Sequence, residues 1–415
     1  MATYGEGEPT DNAASFSNLL KNIDQGYADL LQEGITEEKK IDGEDNEKQL
    51  KDVDYAVFGL GNTQYEQYNA MGKLVDEKME SSGANRIIGI GLGNDNDDLE
   101  DDFESWKQNR LWPSLTKKYV SKDLLKTKKS GTKKSLPSCP YSVEYLNSET
   151  KADYTPSENI HFSGKHYFTA VDCPISLKRE LRSSTDAGST LHLEIDISSA
   201  GDKIKYQTAD NLGILPVNDE IVVGKIADAL GYNLNATFKL QASKGFESKY
   251  SIPFPNPCTI RELLSRYCDL TMAPRRSDLK QLAAYAKNAL CRNALLRISS
   301  KEGKAEYKEK VVESHYGIVD VISTLCPSIE MPLEHFISIC PRLLPRYYTI
   351  SSSATVHSDS IHATVSVLRS DRKDGGTFKG VCSNYLADMV LSKNVRVFCR
   401  SSSFRLPPNV SRVPV

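Results

Sequence analysis

Tyr55–Asn62, YAVFGLGN, is a short apolar run that ends on Gly61 and Asn62, and what surrounds it sets the fold of the first part of the chain. From Glu66 to Ser82, Tyr68, Met71, Leu74, Val75 and Met79 recur at helical spacing, and Gly83 ends that helix. Arg86 to Leu92 (RIIGIGL) reads as a second buried strand, and Leu99 to Trp112 as an amphipathic helix. The alternation β-α-β-α predicts a parallel α/β sheet.

Outward from this segment the texture changes. Lys117 to Lys134 (KKYVSKDLLKTKKSGTKK) holds eight lysines among Ser, Thr and Gly, with Pro137 and Pro140 beyond, and reads as a solvated linker. A basic tail for nucleic acid would need interleaved aromatics, and only Tyr119 is present. Strand alternation follows at His166 to Asp172 and Thr190 to Ile197, then a turn at Pro216–Asp219. Helical periods take over in Asp278 to Leu290 and Val311 to Leu325, before strands resume at Tyr347 to Ser353, Ile361 to Leu368 and Val395 to Arg400. The predicted domains are 1–116 (α/β), 117–158 (linker), 159–219 with 337–415 (β-domain), and 220–336 (helices inserted into the β-domain).

At 415 residues the chain is long enough for two or three domains. With 26% charged and 39% hydrophobic residues and a net charge of −3, it has the composition of an ordinary globular protein, and overall charge names no partner. No run approaches the roughly 18–20 apolar residues of a membrane span. Nine cysteines without a CxxC pair fit structural thiols in a reducing compartment. The seven histidines show no HExxH or other metal-ligand spacing, so no metal site is expected.

Two sets of residues suit binding chemistry. The first joins Thr3–Gly7 (TYGEG) with Phe58–Tyr65 and with Gly91–Asp95. In an open α/β sheet ligands sit beyond the carboxyl ends of the strands. Gly5, Gly7 and Gly61 permit close backbone approach, Tyr4 and Tyr65 offer rings for a planar heterocycle, and Asn62 and Asp95 offer acceptors. Taken alone, each tyrosine is more often a packing residue. The acidic run Asn94 to Glu104 fails as an EF-hand, having Glu100 and Trp106 where Gly and Glu are needed. It is either a helix N-terminus favoured by the dipole or a patch for a basic partner.

The second set is Arg346-Tyr347-Tyr348-Thr349. Arg346 and Tyr348 share a face of the strand, suited to a phosphate and a flat ring, although such a pair is equally common on an ordinary edge strand. Gly380-Val381-Cys382-Ser383 opens an amphipathic helix whose N–H groups, with the Ser383 hydroxyl, suit a pyrophosphate. There is no P-loop, and Gly89–Gly93 matches GxGxxG only in part.

Taken together, these motifs resemble those of the diflavin NADPH-haemoprotein reductases, most closely the cytochrome P-450 reductase branch, over nearly the whole chain. Met1–Ala13 and Val57–Lys73 (VFGLGNTQYEQYNAMGK) resemble that family's second and third FMN loops. Arg346–Ser353, Gly380–Leu386 and Ser403–Pro407 resemble its FAD-domain signatures. The resemblance implies a partial flavodoxin-like α/β domain, then an antiparallel β-barrel FAD domain of ferredoxin-reductase type with an α-helical connecting insert. It implies FMN stacked between Tyr4 and Tyr65, with Gly5, Gly7, Gly61, Asn62, Asn69 and Asp95 lining the site. It assigns Arg346 and Tyr348 to the FAD pyrophosphate and flavin, with Gly380, Val381, Cys382 and Ser383 beneath the pyrophosphate.

Thr349 falls where the family usually has a serine near flavin N5, as the catalytic hydroxyl. Glu100, Asp101 and Asp102 match an acidic face for haem proteins such as cytochrome P-450 or cytochrome c. The implied reaction carries electrons from NADPH to FAD to FMN to a haem protein. Against the family pattern, the anchor, FMN phosphate loop and nicotinamide domain are expected to be missing. That would make the chain a fragment with FAD retained, FMN weak or lost, and little NADPH turnover. The whole family is implied to sit at the endoplasmic reticulum membrane, and this chain, without an anchor, in the cytosol. The alternatives are a non-catalytic FAD-binding or docking module, or a truncated gene product, and, more weakly, a single-flavin ferredoxin-reductase-like enzyme.

Overall fold

The computed structural model of the chain describes residues 1–4, 7–22, 50–120, 136–146, 160–161, 164–183, 188–247, 251 and 253–402. Gly5, most of the expected linker and the Ser403–Pro407 motif lie outside the described residues. Two compact units, Met1–Lys134 and Ser135–Val415, are each described on their own.

In the first unit β1 (Thr3–Tyr4) and β2 (Glu8–Pro9) pair antiparallel ahead of helix α1 (Asp11–Asn22). The YAVFGLGN stretch divides into β3 (Asp54–Tyr55) and β4 (Phe58–Gly61). The RIIGIGL region likewise divides, into β5 (Asn85–Arg86) and β6 (Gly91–Asn94). β3 pairs with β5 and β4 with β6, both parallel. Hydrogen bonds from Ile87 N–H to Tyr55 O (2.8 Å) and from Gly91 N–H to Val57 O (3.0 Å) carry the ladder across both breaks, as the sequence period requires. Ahead of β1, Met1 and Ala2 run beside β4: Leu60 N–H donates to Met1 O at 2.7 Å, and Ala2 bridges Leu60 in parallel.

Helix α2 (Ala70–Ser81), with Asn69 at its N-cap, begins four residues later than the period suggested, and Gly83, with φ +89°, lies just beyond its end. Helix α3 (Leu99–Trp106) is capped by the Asp98 carboxylate, which accepts from Asp101 N–H at 3.1 Å. It continues through a π-helical turn, Lys107–Leu111, into α4 (Trp112–Tyr119). Lys117, Lys118 and Tyr119, read from sequence as the start of a linker, therefore complete a helix. The Lys118 ammonium and the Tyr119 hydroxyl both bond the Asp54 carboxylate, which anchors this end to β3. The core is small: Leu20, Tyr55, Val57, Val75 and Ala84.

The second unit holds β7 (Tyr141–Leu146), β8 (Val171–Glu180), β9 (Ser189–Asp196), β10 (Asn211–Leu215), β11 (Thr237–Ala242), β12 (Cys258–Thr259), β13 (Arg346–Thr349), β14 (Ser360–Val367), β15 (Arg369–Asp371), β16 (Thr377–Lys379) and β17 (Asn394–Arg400). Six form one antiparallel sheet in the order β13-β10-β17-β8-β9-β14. Its two edge strands approach each other only at an isolated Ile350–Ala363 bridge, so among the described residues the sheet is not closed. Alternating Leu191, Leu193 and Ile195 face inward with Leu212, Ile214, Ile361, Val365, Val395 and Val397, the period of two expected of half-buried strands.

Between Leu215 and Arg346 the chain leaves this sheet. It forms the Glu220–Leu230, Ile260–Arg266, Arg276–Leu282, Ala289–Ile298 and Leu333–Ile339 helices around a second core that includes Phe238, Leu263, Leu279, Ile322 and Phe336. β7 pairs with β11 and so belongs to this unit, although 117–158 was read as linker throughout. Three elements differ from the period reading. Asp278 to Leu290 is interrupted after Tyr285, where Ala286 turns extended and bridges Ile329 before a new helix starts at Ala289. Val311 to Leu325, expected as one helix, is broken by His315 at φ 52° into π-helical turns on either side. His166–Thr169, expected as strand, is a helical turn. The turn aims Tyr167 into the core, where its hydroxyl donates to Leu343 O at 2.7 Å and its ring meets Tyr267 edge-on at 5.1 Å. All nine cysteines are free thiols.

His166 stacks on Phe398 with its Nε2 buried and without a partner among the described residues, and burial lowers its pKa from 6.5 to about 4. The imidazole is thus neutral in the fold while the unfolded chain takes up a proton below pH 6.5. Stability should therefore fall as pH drops through the window from 6.5 to about 4. His166→Gln should flatten that slope, as read from denaturant midpoints at several pH values across the window.

Candidate functional site

The site in the second unit is built where β13 meets the Val381–Asp388 helix. β13 pairs with β10 in the register Leu212↔Tyr348 and Ile214↔Arg346. Directly opposed residues share a face, so Arg346 and Tyr348 lie on the same side of the sheet as two fully buried aliphatics, while Tyr347 and Thr349 face outward and are exposed. Arg346 is held by its own surroundings: Nη1 donates to Leu344 O at 2.6 Å, and Nη2 lies 3.5 Å from the Asp269 carboxylate. Asp269 is buried and also accepts from the N–H groups of Thr271 (3.3 Å) and Met272 (3.0 Å), so the carboxylate that orients the guanidinium is itself fixed.

Tyr348 is half-buried and hydrogen-bonded to the Cys382 thiol. Burial, then the neighbouring thiol, pushes its phenol well above the usual range, and the Arg346 charge draws it back. Burial pushes Cys382 to about 11, with Tyr348 and Arg346 again opposing. Arg346 therefore acts on both the strand and the first turn of the helix. That first turn supplies the N–H groups of Val381, Cys382 and Ser383, which have no intrahelical acceptor. The Ser383 hydroxyl, read from sequence as a phosphate ligand, here accepts from Leu368 N–H (3.1 Å) and donates to Gly380 O (3.2 Å), closing the turn. Gly380 is needed for close approach: a Cβ there would stand 3.0 Å from Leu368 Cβ.

Beside the same helix start opens a cavity of about 570 Å³, lined by Gly380, Val381, Lys225, Asp320, Arg372 and Phe378 among others. Asp320 bridges Lys225 and Arg372, each at 2.9 Å, and His315 stacks on Phe378 at 4.6 Å. The Arg346 guanidinium, the helix N–H groups and an adjoining cavity of mixed charge with a flat aromatic wall make a set that fits a dinucleotide.

In the first unit the loops after β4 and β6 lie side by side at the carboxyl ends of parallel strands. The Asn94 side-chain carbonyl accepts from Thr63 N–H (3.0 Å) and the Thr63 hydroxyl (3.1 Å), and Asp95 N–H donates to Gly61 O (2.8 Å). The Asn62 side chain closes the turn by accepting from Gln64 N–H at 2.8 Å. Tyr65 is 67% exposed on this rim, which leaves its ring open to a partner. Asp95 is exposed beside it, and Gly7 turns at φ +106° against the Gln67 side chain. Tyr4 ends β1, and its side chain, like Gly5, lies outside what is described.

Asn69 is fully buried at φ 56°, and its Nδ2 donates to Gly93 O at 3.0 Å. It forms the floor joining β6 to α2, and its Oδ1 is a buried acceptor without a hydrogen-bond partner among the described residues. Of the acidic trio, Asp102 accepts from Asn94 N–H at 2.9 Å and so shapes the loop, while Glu100 and Asp101 sit in the same first turn of α3.

Sequence reasoning did not find Asp269. It lies 77 residues from Arg346, and no local period marks it. Nor did it find the cavity wall contributed by Lys225, His315 and Asp320, which the chain brings back from the helical region.

Comparison with known proteins assigns a flavin-binding family to each of the two units. The FAD binding domain family matches residues 160–385, more than half of the chain, and the flavodoxin family matches residues 1–106. NADPH--cytochrome P450 reductases are similar over almost all of the chain. The Homo sapiens protein is 34% identical over 98% of this chain, that of Sus scrofa 35% over 98%, and that of Musca domestica 32% over 100%. The chain belongs to the diflavin reductase family, and it spans 57–58% of the length of these curated relatives. Among the described residues no helix is long and apolar enough to cross a membrane.

Both tryptophans, Trp106 and Trp112, belong to the first unit, so their emission reports its unfolding. Asn69→Ala removes the bond to Gly93 and sets a Cβ residue at positive φ without local compensation. It should destabilise that unit by about 1–3 kcal/mol in a urea titration followed by tryptophan fluorescence.

Proposed function

We propose that the chain is an electron-transferring flavoprotein that binds FAD in its second unit and FMN at the loop edge of its first, and passes electrons to a haem protein. The observation that carries this reading is the convergence of Arg346 and the first turn of the Val381–Asp388 helix beside the 570 Å³ cavity. When bound, FAD supplies hydride acceptance from NADPH, and FMN supplies single-electron delivery to the acceptor.

The chain's own residues do the holding. The Arg346 guanidinium, aimed by Asp269, and the N–H groups of Val381, Cys382 and Ser383 take the pyrophosphate. Tyr348 stands beside the flavin end, and the cavity with the His315–Phe378 stack takes the adenylate end. Thr349, exposed at the end of β13 opposite Asn211, offers its hydroxyl to the flavin edge. In this reading β8, β9, β10, β13, β14 and β17 are the FAD barrel of the family, and the segment between Leu215 and Arg346 is its connecting insert. Boundaries near 220 and 336 follow from the same reading, while the first domain runs on through Tyr119 and the second takes in β7 from Tyr141. In the first unit Tyr4 and Tyr65 flank FMN over the Asn69 floor, with Gly7, Gly61, Asn62 and Asp95 around it. Glu100, Asp101 and Asp102 present negative charge to a basic haem-protein surface, which raises the encounter rate at low salt.

Expression of the chain, with flavin release and chromatography, tests the reading. About one FAD per chain is expected. Arg346→Ala should weaken FAD by about ten- to a hundredfold, the worth of a lost charge-assisted hydrogen bond. Holo-chain reduced with dithionite should pass electrons to cytochrome c more slowly as salt rises. Absence of FAD, or an unaltered affinity in the Arg346 variant, would sink the assignment. NADPH added in place of dithionite distinguishes a chain that turns over by itself from a module that only carries flavin.

A further inference from the structure

We propose that His192, Glu194 and His362 form a binding site for a borderline divalent transition-metal ion, Zn²⁺ in particular, on the outer face of the β9–β14 pair. No local spacing in the sequence marks this group, because its members meet only across the ladder. His192 and Glu194 are two residues apart on β9 and so share a face, and His362 on β14 is directly opposite Glu194. One ligand atom from each of the three lies within 4.8 Å of the other two. His192 Nε2 is 3.2 Å from one Glu194 carboxylate oxygen, and His362 Nε2 is 3.8 Å from the other.

In a tetrahedral zinc site with bonds of about 2.0–2.1 Å, neighbouring ligand atoms stand about 3.3–3.4 Å apart, so small side-chain rotations close this group around one ion. All three side chains are largely shielded, with exposures of 18%, 30% and 12%. Two imidazoles with one carboxylate suit Zn²⁺, Co²⁺ or Ni²⁺ and not Ca²⁺ or Mg²⁺, which prefer oxygen donors throughout. The Ser360 hydroxyl, now 3.1 Å from His362 Nε2, would give way to the ion. The exposed His357 ring, 4.3 Å from His362 between centroids, is the nearest further imidazole, and water otherwise completes the coordination.

The frame behind these ligands is rigid. The Tyr206 hydroxyl lies 2.9 Å from Ser352 Oγ, 2.8 Å from His357 O and 3.0 Å from Ser360 O, which fixes the backbone on both sides of the approach to β14. His362 N–H donates to Ser352 Oγ at 3.1 Å, and His362 O accepts from Ser351 N–H at 2.9 Å. An ion here would thus tie β9 to the turn that leaves the flavin-side strand β13. Supporting bonds of this kind are what hold metal ligands in place.

The test uses the full chain, stripped with a chelator and kept reduced. Co²⁺ is titrated by difference absorbance, followed by competition with Zn²⁺. One Co²⁺ per chain is expected, with ligand-field bands but no thiolate charge-transfer band. It should be displaced by Zn²⁺ and unaffected by excess Mg²⁺ or Ca²⁺. His362→Gln should weaken Zn²⁺ by no less than the roughly tenfold loss that follows removal of a supporting contact. Glu194→Gln, nearly isosteric, provides the same readout if the histidine variant does not fold. If the only bound Co²⁺ carries a thiolate signature, or if affinity is the same in the wild type and the Glu194 variant, the proposal fails and the three residues are a hydrogen-bonded His–Glu–His array.

Discussion

Within the six-stranded sheet β13 has one neighbouring strand, β10, and the candidate dinucleotide site depends on the register of that pairing. Leu212 and Ile214 are completely buried, so β10 cannot slide without exposing them. A slip of one residue in β13 would turn Arg346 and Tyr348 outward and bring Tyr347 and Thr349 in. Two bonds beyond the ladder oppose that slip: Ile350 N–H donates to Asp210 O at 2.8 Å, and Asp269 draws the Arg346 guanidinium to one side. The hydrophobic core thereby sets the position of a cationic group, although it contributes nothing to the recognition of a phosphate.

Features carried by local period were legible in the sequence. The alternation in TLHLEIDI placed β9 to within a residue, and the apolar runs near Tyr55 and Arg86 placed the parallel pairs, because burial on one or both faces writes itself into neighbouring residues. The glycine-led helix start at Gly380 was legible too, since backbone approach demands glycine there. Features that arise from distant chain meeting chain were not legible. Asp269 beside Arg346, Asp320 between Lys225 and Arg372, and the histidines brought to Glu194 each depend on tertiary register. The π-helical continuation of α3 through Lys107–Leu111 was hidden for another reason: KQNRL has no unusual composition, and the widened turn shows only in the backbone.

The two units differ in how their sites are supported. In the second, the site residues rest on a sheet core and a separate helical core, each large enough to hold them passively. In the first, the core among the described residues is small, and order at the rim comes instead from polar contacts: Asn94 to Thr63, Asp95 to Gly61, and Asp102 to Asn94. Polar contacts of this kind exchange readily with water and ligand, so the first unit is the one whose loop geometry responds most to what binds there.

The floor of that loop also limits how this part of the sequence can drift. A methyl at Gly72 would stand 2.7 Å from Gly59 Cα, and one at Gly59 would stand 2.5 Å from Asn69 Oδ1. The three positions share one volume, and two of them already have the smallest residue available. No single replacement by a larger side chain is open at either glycine: the neighbour of Gly72 is already glycine, and the Asn69 side chain would have to shorten in the same step to admit one at Gly59. Descent can vary the rim, at Tyr65 or Asp95, one step at a time. The two glycines of its floor can enlarge only through coordinated substitutions, so diversity among descendants of this chain should gather at the loop's edge.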